Sequence, residues 1–226
     1  MSSKDLILGR IRAALTDDAP VPSIPRAYRR GPAKADLDLL VERLTDYKAV
    51  VHRLSHEISG ISVEGSGPQA DISLSPPVAS DDELAAIRAA ISAILGSGTV
   101  VVPPGLPLEW VPDGVIGLVD DGLSADRIAA TDGVVTGAAV AVAETGTIVL
   151  DASPDQGRRI ISLLPDLHIC VLRPEQVVAS VQEALERLDP ARPLTWISGP
   201  SATSDIELNR VEGVHGPRHL HVVVVE

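Results

Sequence analysis

Residues 134–150 read VVTGAAVAVAETGTIVL. Two apolar runs, 134–143 and 147–150, are joined by only three residues, which is typical of two strands connected by a tight turn. A connection this short can join only antiparallel neighbours, because parallel strands need a crossover of a dozen or more residues. We therefore expect one antiparallel pair of strands at this point of the chain.

The segments around this pair alternate between predicted strands and predicted helices. The further strands are expected at 99–102, 115–119, 167–172, 194–197 and 220–225. The helices are expected at 80–95, 124–130, 156–164, 174–188 and 204–210. Several strands consist almost entirely of Val, Ile and Leu, which indicates burial on both faces. Strands separated by helices pair in parallel, so the predicted fold class is α/β, with a mixed, mostly parallel sheet flanked by helices.

The first part of the chain has a different character. Residues 4–15 place apolar side chains at helical spacing, and a Pro-rich segment follows up to residue 35. We expect an N-terminal helix and a Pro-rich arm over 1–35 and one domain over 36–226, beginning with a helix at 36–47. The helix at 4–15 can either pack on its own domain or grip another subunit, and the sequence leaves both possibilities open.

Composition excludes several classes of protein. The net charge is −12 and aromatic residues make up 2% of the chain, which argues against a nucleic-acid partner. No apolar run reaches the roughly 18 residues of a membrane-spanning helix. Charged residues interrupt the N-terminal segment where a signal peptide would be apolar. We therefore expect a cytoplasmic protein without a membrane span.

Cysteine and histidine usage predicts that this chain holds no metal. The single cysteine, Cys170, lies in a predicted strand, where it should pack as a small apolar side chain, and one cysteine cannot ligate an iron–sulfur cluster. His215, His219 and His221 fall within seven residues and raise the question of a metal site. Since no carboxylate or cysteine partner can be identified for them, we predict none.

The stretch SGPSATSDIE at 198–207 leads from a predicted strand into a predicted helix. Helix capping explains part of it, because Ser204 at the N-cap with Glu207 three residues later forms a capping box. Asp205 is also favourable near the positive end of a helix. This structural explanation accounts for three residues without invoking any function.

Capping leaves Ser201 and Thr203 unexplained. Their hydroxyls can face a ligand, together with backbone N–H groups of the same loop. The carboxylates of Asp205 and Glu207 would oppose a phosphate, so a hydroxylated ligand, an amine, or a metal bridged to an anion fits better. Capping and ligand binding both remain open for this stretch.

The turn at residues 144–147 also has two explanations. Gly146 can supply the positive φ of a tight turn, but Glu144 has no evident structural purpose there and can act as a general base or nucleophile. His215 lies between turn residues and is a candidate general acid. The catalytic candidates are Glu144, Asp205 and His215, and the ligand-binding candidates are Thr145, Gly146, Thr147, Ser201, Thr203 and Glu207.

Five short motifs together resemble the LUD-domain family: VPPGLP at 102–107, VTG at 135–137, AETGT at 143–147, GPSATSDIE at 199–207 and GVHGP at 213–217. The resemblance implies a fold similar to the NagB/RpiA/CoA-transferase-like superfamily. It also implies a role in the oxidation of L-lactate to pyruvate, beside iron–sulfur partner subunits and with a small organic acid as ligand. This chain would itself bind no cofactor.

Two other functions remain open. The superfamily permits a self-sufficient acyl- or CoA-transferase or a sugar-phosphate isomerase, with Glu144 as nucleophile or base and His215 as acid. Fold analogy alone is weak support for such an activity. The third possibility is a scaffold that binds a small molecule without chemistry.

Overall fold

The computed structural model describes residues 3–14, 34–54, 80–199 and 216–226. Within these ranges the helices are α1 (Ser3–Ala14), α2 (Leu37–Asp46), α3 (Asp81–Leu95), α4 (Ala125–Ala129) and α5 (Val181–Arg187). The strands are β1 (Val50–Leu54), β2 (Gly98–Val102), β3 (Val115–Val119), β4 (Gly133–Thr136), β5 (Val140–Val142), β6 (Thr147–Leu150), β7 (Leu167–Leu172), β8 (Val177–Val178), β9 (Thr195–Ile197) and β10 (His219–Val225). Short 3₁₀ helices cover Leu108–Trp110, Arg159–Ser162 and Pro174–Gln176.

The larger sheet has six strands in the order β1-β10-β7-β4-β2-β3, and every pair is parallel. Its centre is β4 beside β7, where Val135 lies opposite Ile169. Strands buried on both faces explain the runs of Val and Ile in the sequence. The predicted α/β fold class is therefore confirmed.

The predicted antiparallel pair exists, but it belongs to a second sheet with the order β8-β5-β6-β9. The single strand predicted over 134–143 is wrong, because β4 and β5 lie in different sheets. The chain leaves the first sheet at Gly137, whose N–H donates to the Asp155 carbonyl at 3.0 Å. A Cβ at Gly137 would overlap Oδ2 of Asp155, so a larger residue here would force the Asp155 side chain to move.

The helix predicted over 174–188 is also wrong in part. A 3₁₀ turn is followed by β8, which pairs in parallel with β5, and only then by α5. Ser180 starts α5 by accepting a hydrogen bond from the Glu183 N–H at its N-cap. Burial in the second sheet gives the two valines of β8 a strand conformation, although the sequence pattern around them is helical.

The helix predicted over 156–164 is reduced to the 3₁₀ helix Arg159–Ser162. The residues before it are held in a loop by Arg158, whose guanidinium pairs with the buried Asp120 after β3. The helix predicted over 204–210 lies outside the described residues. Helix α1 is present as predicted, and all its residues are exposed. None of the described helices is both long and apolar enough to cross a membrane.

Two apolar layers sandwich the large sheet. On one face, Leu40 and Leu44 of α2 and Ile148 of the second sheet pack against Val222 and other residues of β7 and β10. Helix α4 covers the same face beside β2 and β4. On the other face, α3 and the buried Trp110 pack against β2, β7 and β10. The core is thus built from Val, Ile, Leu and Ala without a phenylalanine.

A short row of polar residues lies on one buried face of β4 and β7. Thr136 Oγ1 and His168 Nε2 share a hydrogen bond of 2.8 Å, and His168 is almost completely buried. Burial lowers the pKa of His168 to about 4, with the positive charge of Arg159 acting in the same direction. Cys170 is buried beside them, as predicted, and burial raises the pKa of its thiol to about 12.

His168 should make the fold sensitive to acid. Its pKa is lower in the folded than in the unfolded chain, so its contribution to stability is present above about pH 6.5 and is lost as the pH falls towards about 4. We expect a loss of roughly 3 kcal/mol over this window from this residue. Urea unfolding of His168→Gln against pH should show a flatter profile than that of the wild type.

Direct titration of the His168 ring by NMR tests the same point without relying on the stability of a variant. The ring should stay neutral throughout the neutral range. A titration midpoint near 6.5 for His168 would contradict the expectation.

Candidate functional site

The structure brings the turn at 144–147 next to the beginning of the second polar motif. Strands β6 and β9 are antiparallel neighbours, with Ile148 opposite Ile197. Thr147 Oγ1 lies 2.8 Å from Thr145 Oγ1 and 2.8 Å from Ser198 Oγ. These three hydroxyls form a continuous hydrogen-bonded chain, which we call the hydroxyl row. Two segments some 50 positions apart in sequence therefore meet at one place.

Two glycines allow the segments that carry the hydroxyl row to lie close to the end of α2. Gly146 has φ 61°, and a Cβ there would come within 2.7 Å of the Arg43 Cβ. Gly199 has φ 81°, and a Cβ there would come within 2.6 Å of the Tyr47 carbonyl oxygen. Glycine is required at both positions by conformation and by space. The tight-turn explanation of Gly146 is correct, and the same residue also sets how closely the turn approaches α2.

Glu144 lies on the outside of this turn. Its side chain is exposed, and its backbone N–H donates to the Ala179 carbonyl at 3.2 Å. The turn packs beside the end of α2, close to where β1 begins, and so it does not lie at the carboxyl ends of the parallel strands. This position gives no structural support for Glu144 as a base or as a nucleophile. A catalytic role for Glu144 stays a prediction.

The remaining predicted site residues cannot be placed. Ser201, Thr203, Asp205, Glu207 and His215 lie outside the described residues. The hydroxyl row ends at Ser198, and only Gly199 lies between it and that segment. Their proposed roles stay predictions.

The sequence did not predict a second cluster, at the carboxyl ends of the parallel strands. Residues 151–158, which we call the edge loop, lie along the ends of three neighbouring strands. Asp155 contacts Gly137 after β4, and the Pro154 carbonyl accepts from the Gly105 N–H after β2 at 2.9 Å. Arg158 Nε donates to Oδ2 of Asp120 after β3 at 2.8 Å, and these hydrogen bonds lower the pKa of the Asp120 carboxyl.

Asp155 is the titratable group at the centre of this edge. Its Oδ1 accepts a hydrogen bond from Gln156 Nε2 at 3.3 Å, and burial raises the pKa of its carboxyl. Gln156 is held in turn, because its Oε1 accepts from the Asp151 N–H at 2.7 Å. Ala152 in the same loop has φ 57°, a conformation that non-glycine residues rarely adopt and that concentrates at functional sites.

A cation lies on the neighbouring strand end. Arg173 follows β7 and pairs with Glu83 of α3 through Nη2 to Oε1 at 2.7 Å. Its guanidinium also lies over the ring of Trp110, 5.5 Å from the centroid. The Arg173 N–H donates to Gln176, whose side-chain amide donates to the Ala138 carbonyl beside Gly137. Arg173, through Gln176, and Asp155 are therefore both connected by hydrogen bonds to the backbone at residues 137–138.

Two histidines, His52 of β1 and His221 of β10, form a pair. His52 Nε2 and His221 Nδ1 are 3.0 Å apart, and the two rings stack with centroids 5.3 Å apart. Spacing in the sequence does not identify these two residues as partners. Over 3–14, 34–54, 80–199 and 216–226, no three His, Cys, Asp or Glu side chains converge as metal ligands would.

Comparison with known proteins identifies the family. The LUD domain family matches residues 124–225. The chain is 52% identical over 147 residues to lactate utilization protein C of Deinococcus radiodurans, an alignment that covers 62% of this chain and 69% of that protein. This chain belongs to the LUD-domain family. The family resemblance seen in its short motifs is thereby confirmed.

Further relatives of this LUD-domain chain agree. Lactate utilization protein C of Oceanobacillus iheyensis is 32% identical over 95 residues, which is 38% of this chain and 40% of that protein. The crystal structure of a DUF162 family protein from Deinococcus radiodurans superposes with a TM-score of 0.63 and 36% sequence identity, covering 84% of this chain and 96% of that one. The predicted boundary between residues 35 and 36 is not tested by these matches.

The hydroxyl row of this LUD domain should contribute measurably to stability. Thr147→Val keeps the shape of the buried side chain but removes both of its hydrogen bonds, and we expect a loss of about 1–2 kcal/mol in the free energy of unfolding. Urea denaturation measures it. Thr145→Val, which removes only one end of the row, serves as the matched control and should cost about half as much. Equal costs for the two variants would show that the hydrogen bond between Thr147 and Ser198 does not contribute to stability.

Proposed function

We propose that this chain works in lactate utilisation, as a component of a system that oxidises L-lactate to pyruvate together with iron–sulfur partner subunits. The observation that carries the proposal is the 52% identity to a protein named lactate utilization protein C. The family match over 124–225 and the second relative of the same name support it. The oxidation itself and the partners are inferred from the family resemblance.

The chemistry of this chain is consistent with a share in such a system. Its only cysteine, Cys170, is buried and its thiol has a pKa raised to about 12, so it does not supply the thiolates that bind an iron–sulfur cluster. Electron transfer would therefore be carried out by partner subunits. What this chain can contribute is recognition of a small organic acid by its polar side chains.

Deleting the gene in its native host tests the role in lactate utilisation. Growth on L-lactate should be lost and growth on pyruvate retained, since pyruvate lies beyond the proposed step. Re-expression of the wild-type chain should restore growth on L-lactate. Unchanged growth of the deletion strain on L-lactate would refute the proposal.

Reconstitution tests whether the chain needs partners. The purified chain alone should not oxidise L-lactate, and addition of iron–sulfur proteins that co-purify with it should allow L-lactate to reduce an artificial electron acceptor. Glu144→Gln and the exposed Glu186→Gln of α5 form a matched pair of variants. If the chain alone converts an acyl-CoA or a phosphosugar and only Glu144→Gln abolishes that turnover, the self-sufficient enzyme replaces the proposed function.

A further inference from the structure

We propose that Asp155 and Arg173 form a binding site for a small carboxylate anion at the carboxyl ends of β4 and β7, and that Asp155 takes up a proton from solvent when the anion binds. The site deepens the proposed function, on which it rests for the choice of L-lactate and pyruvate as ligands. None of its residues was among the candidates found by sequence.

Position is the first argument. In parallel α/β sheets, ligands bind outside the carboxyl ends of the strands, and β4 and β7 are central neighbours in the six-stranded sheet. The edge loop places the Asp155 carboxyl against Gly137, so a side chain at this position would displace the carboxyl. Gln156 and the strained Ala152 hold that loop in one conformation.

The cation is the second argument. Arg173 presents a planar guanidinium that suits a carboxylate, and only 15% of its side chain is exposed. Its Nε and Nη2 both donate to the same oxygen of Glu83, Oε1, at 3.1 and 2.7 Å. The Trp110 ring beneath the guanidinium keeps the group in place, and aromatic stacking is a common support for arginines that recognise anions.

Charge explains why a proton must accompany the anion. Asp151 of the same loop also acts on Asp155 through its charge, and Arg192 pairs with Asp151 at 3.3 Å, so that pair adds no net charge. With Asp155 ionised, the group of Arg173, Glu83 and Asp155 carries one net negative charge and repels a carboxylate. With Asp155 protonated, the same group is neutral, and the carboxyl O–H becomes a hydrogen-bond donor to the ligand. Burial raises the pKa of Asp155, so adding the proton requires less free energy here than at an exposed carboxyl. No covalent bond of the ligand changes in this step.

Isothermal titration calorimetry of the full chain tests the site, with L-lactate, pyruvate and acetate as probes. Measurements in two buffers of different ionisation enthalpy give the number of protons taken up. We expect uptake approaching one proton per anion, and affinity that falls up to about tenfold for each pH unit above the Asp155 pKa. An absence of saturable binding for all three probes would overturn the proposal.

Three variants assign the effect to individual residues. Asp155→Asn should bind the probes with an affinity independent of pH and without proton uptake. Glu83→Gln should bind them several-fold more tightly, because the guanidinium loses its competing anion. Asp121→Asn changes an exposed carboxyl that follows β3, two strands away from β4, and should behave as the wild type. Binding that Asp155→Asn and Glu83→Gln leave unchanged would refute the site.

A direct readout guards against a variant that does not fold. The Asp155 carboxyl can be titrated in the wild-type chain by NMR, and its midpoint should rise when a probe is added. A midpoint unaffected by a bound probe would refute the linkage. If reconstituted lactate oxidation fails while proton-linked anion binding persists, the proposed function fails and the site stands. If lactate oxidation is reconstituted but no proton-linked anion binding is observed, the site is refuted and the proposed function stands.

Discussion

The contact between the edge loop and the ends of β2, β3 and β4 is the constraint on which the rest of the structure depends. Pro154 leaves no room for a side chain at Gly105, the Asp155 carbonyl accepts a hydrogen bond from the Gly137 N–H, and Arg158 is bound to the buried Asp120. Because the edge loop occupies the space beyond β4, the chain cannot continue as a longer strand of the large sheet. It turns away at Gly137 and begins the second sheet. The position of the hairpin, and with it the hydroxyl row, follows from this exclusion.

Sequence analysis predicted those elements in which local signals and tertiary packing favour the same structure. The strand over 167–172 and the helix capped by Ser80 are examples, since apolar runs and caps are local signals. It could not predict the break at Gly137, because the small and apolar residues continue across it into β5. It could not predict β8 either, because two valines acquire their strand conformation only from pairing with β5.

The same distinction separates the two functional clusters. The residues around Thr147 could be found because polar and glycine residues are unusual between two buried strands. Asp155 and Arg173 looked ordinary, because each follows a predicted element as turn residues commonly do. Whether these two residues form a cluster depends on which strand ends lie side by side, and the strand order determines that. Glu83 donates its N–H to Ser80 at the N-cap of α3, but its side chain pairs with Arg173, which follows β7.

The hairpin of β5 and β6 joins the two clusters mechanically. It starts beside Gly137 at the carboxyl edge, reaches the hydroxyl row at its turn, and returns to the edge loop after Leu150. Its side chains Val140, Ala141, Ile148 and Val149 are fully buried between the layers. Protein interiors are close-packed, so a ligand that moved the edge loop would also shift the buried hairpin and strain the contact of Gly146 and Gly199 with α2. The proposed anion site and the hydroxyl row therefore lie at opposite ends of one buried hairpin.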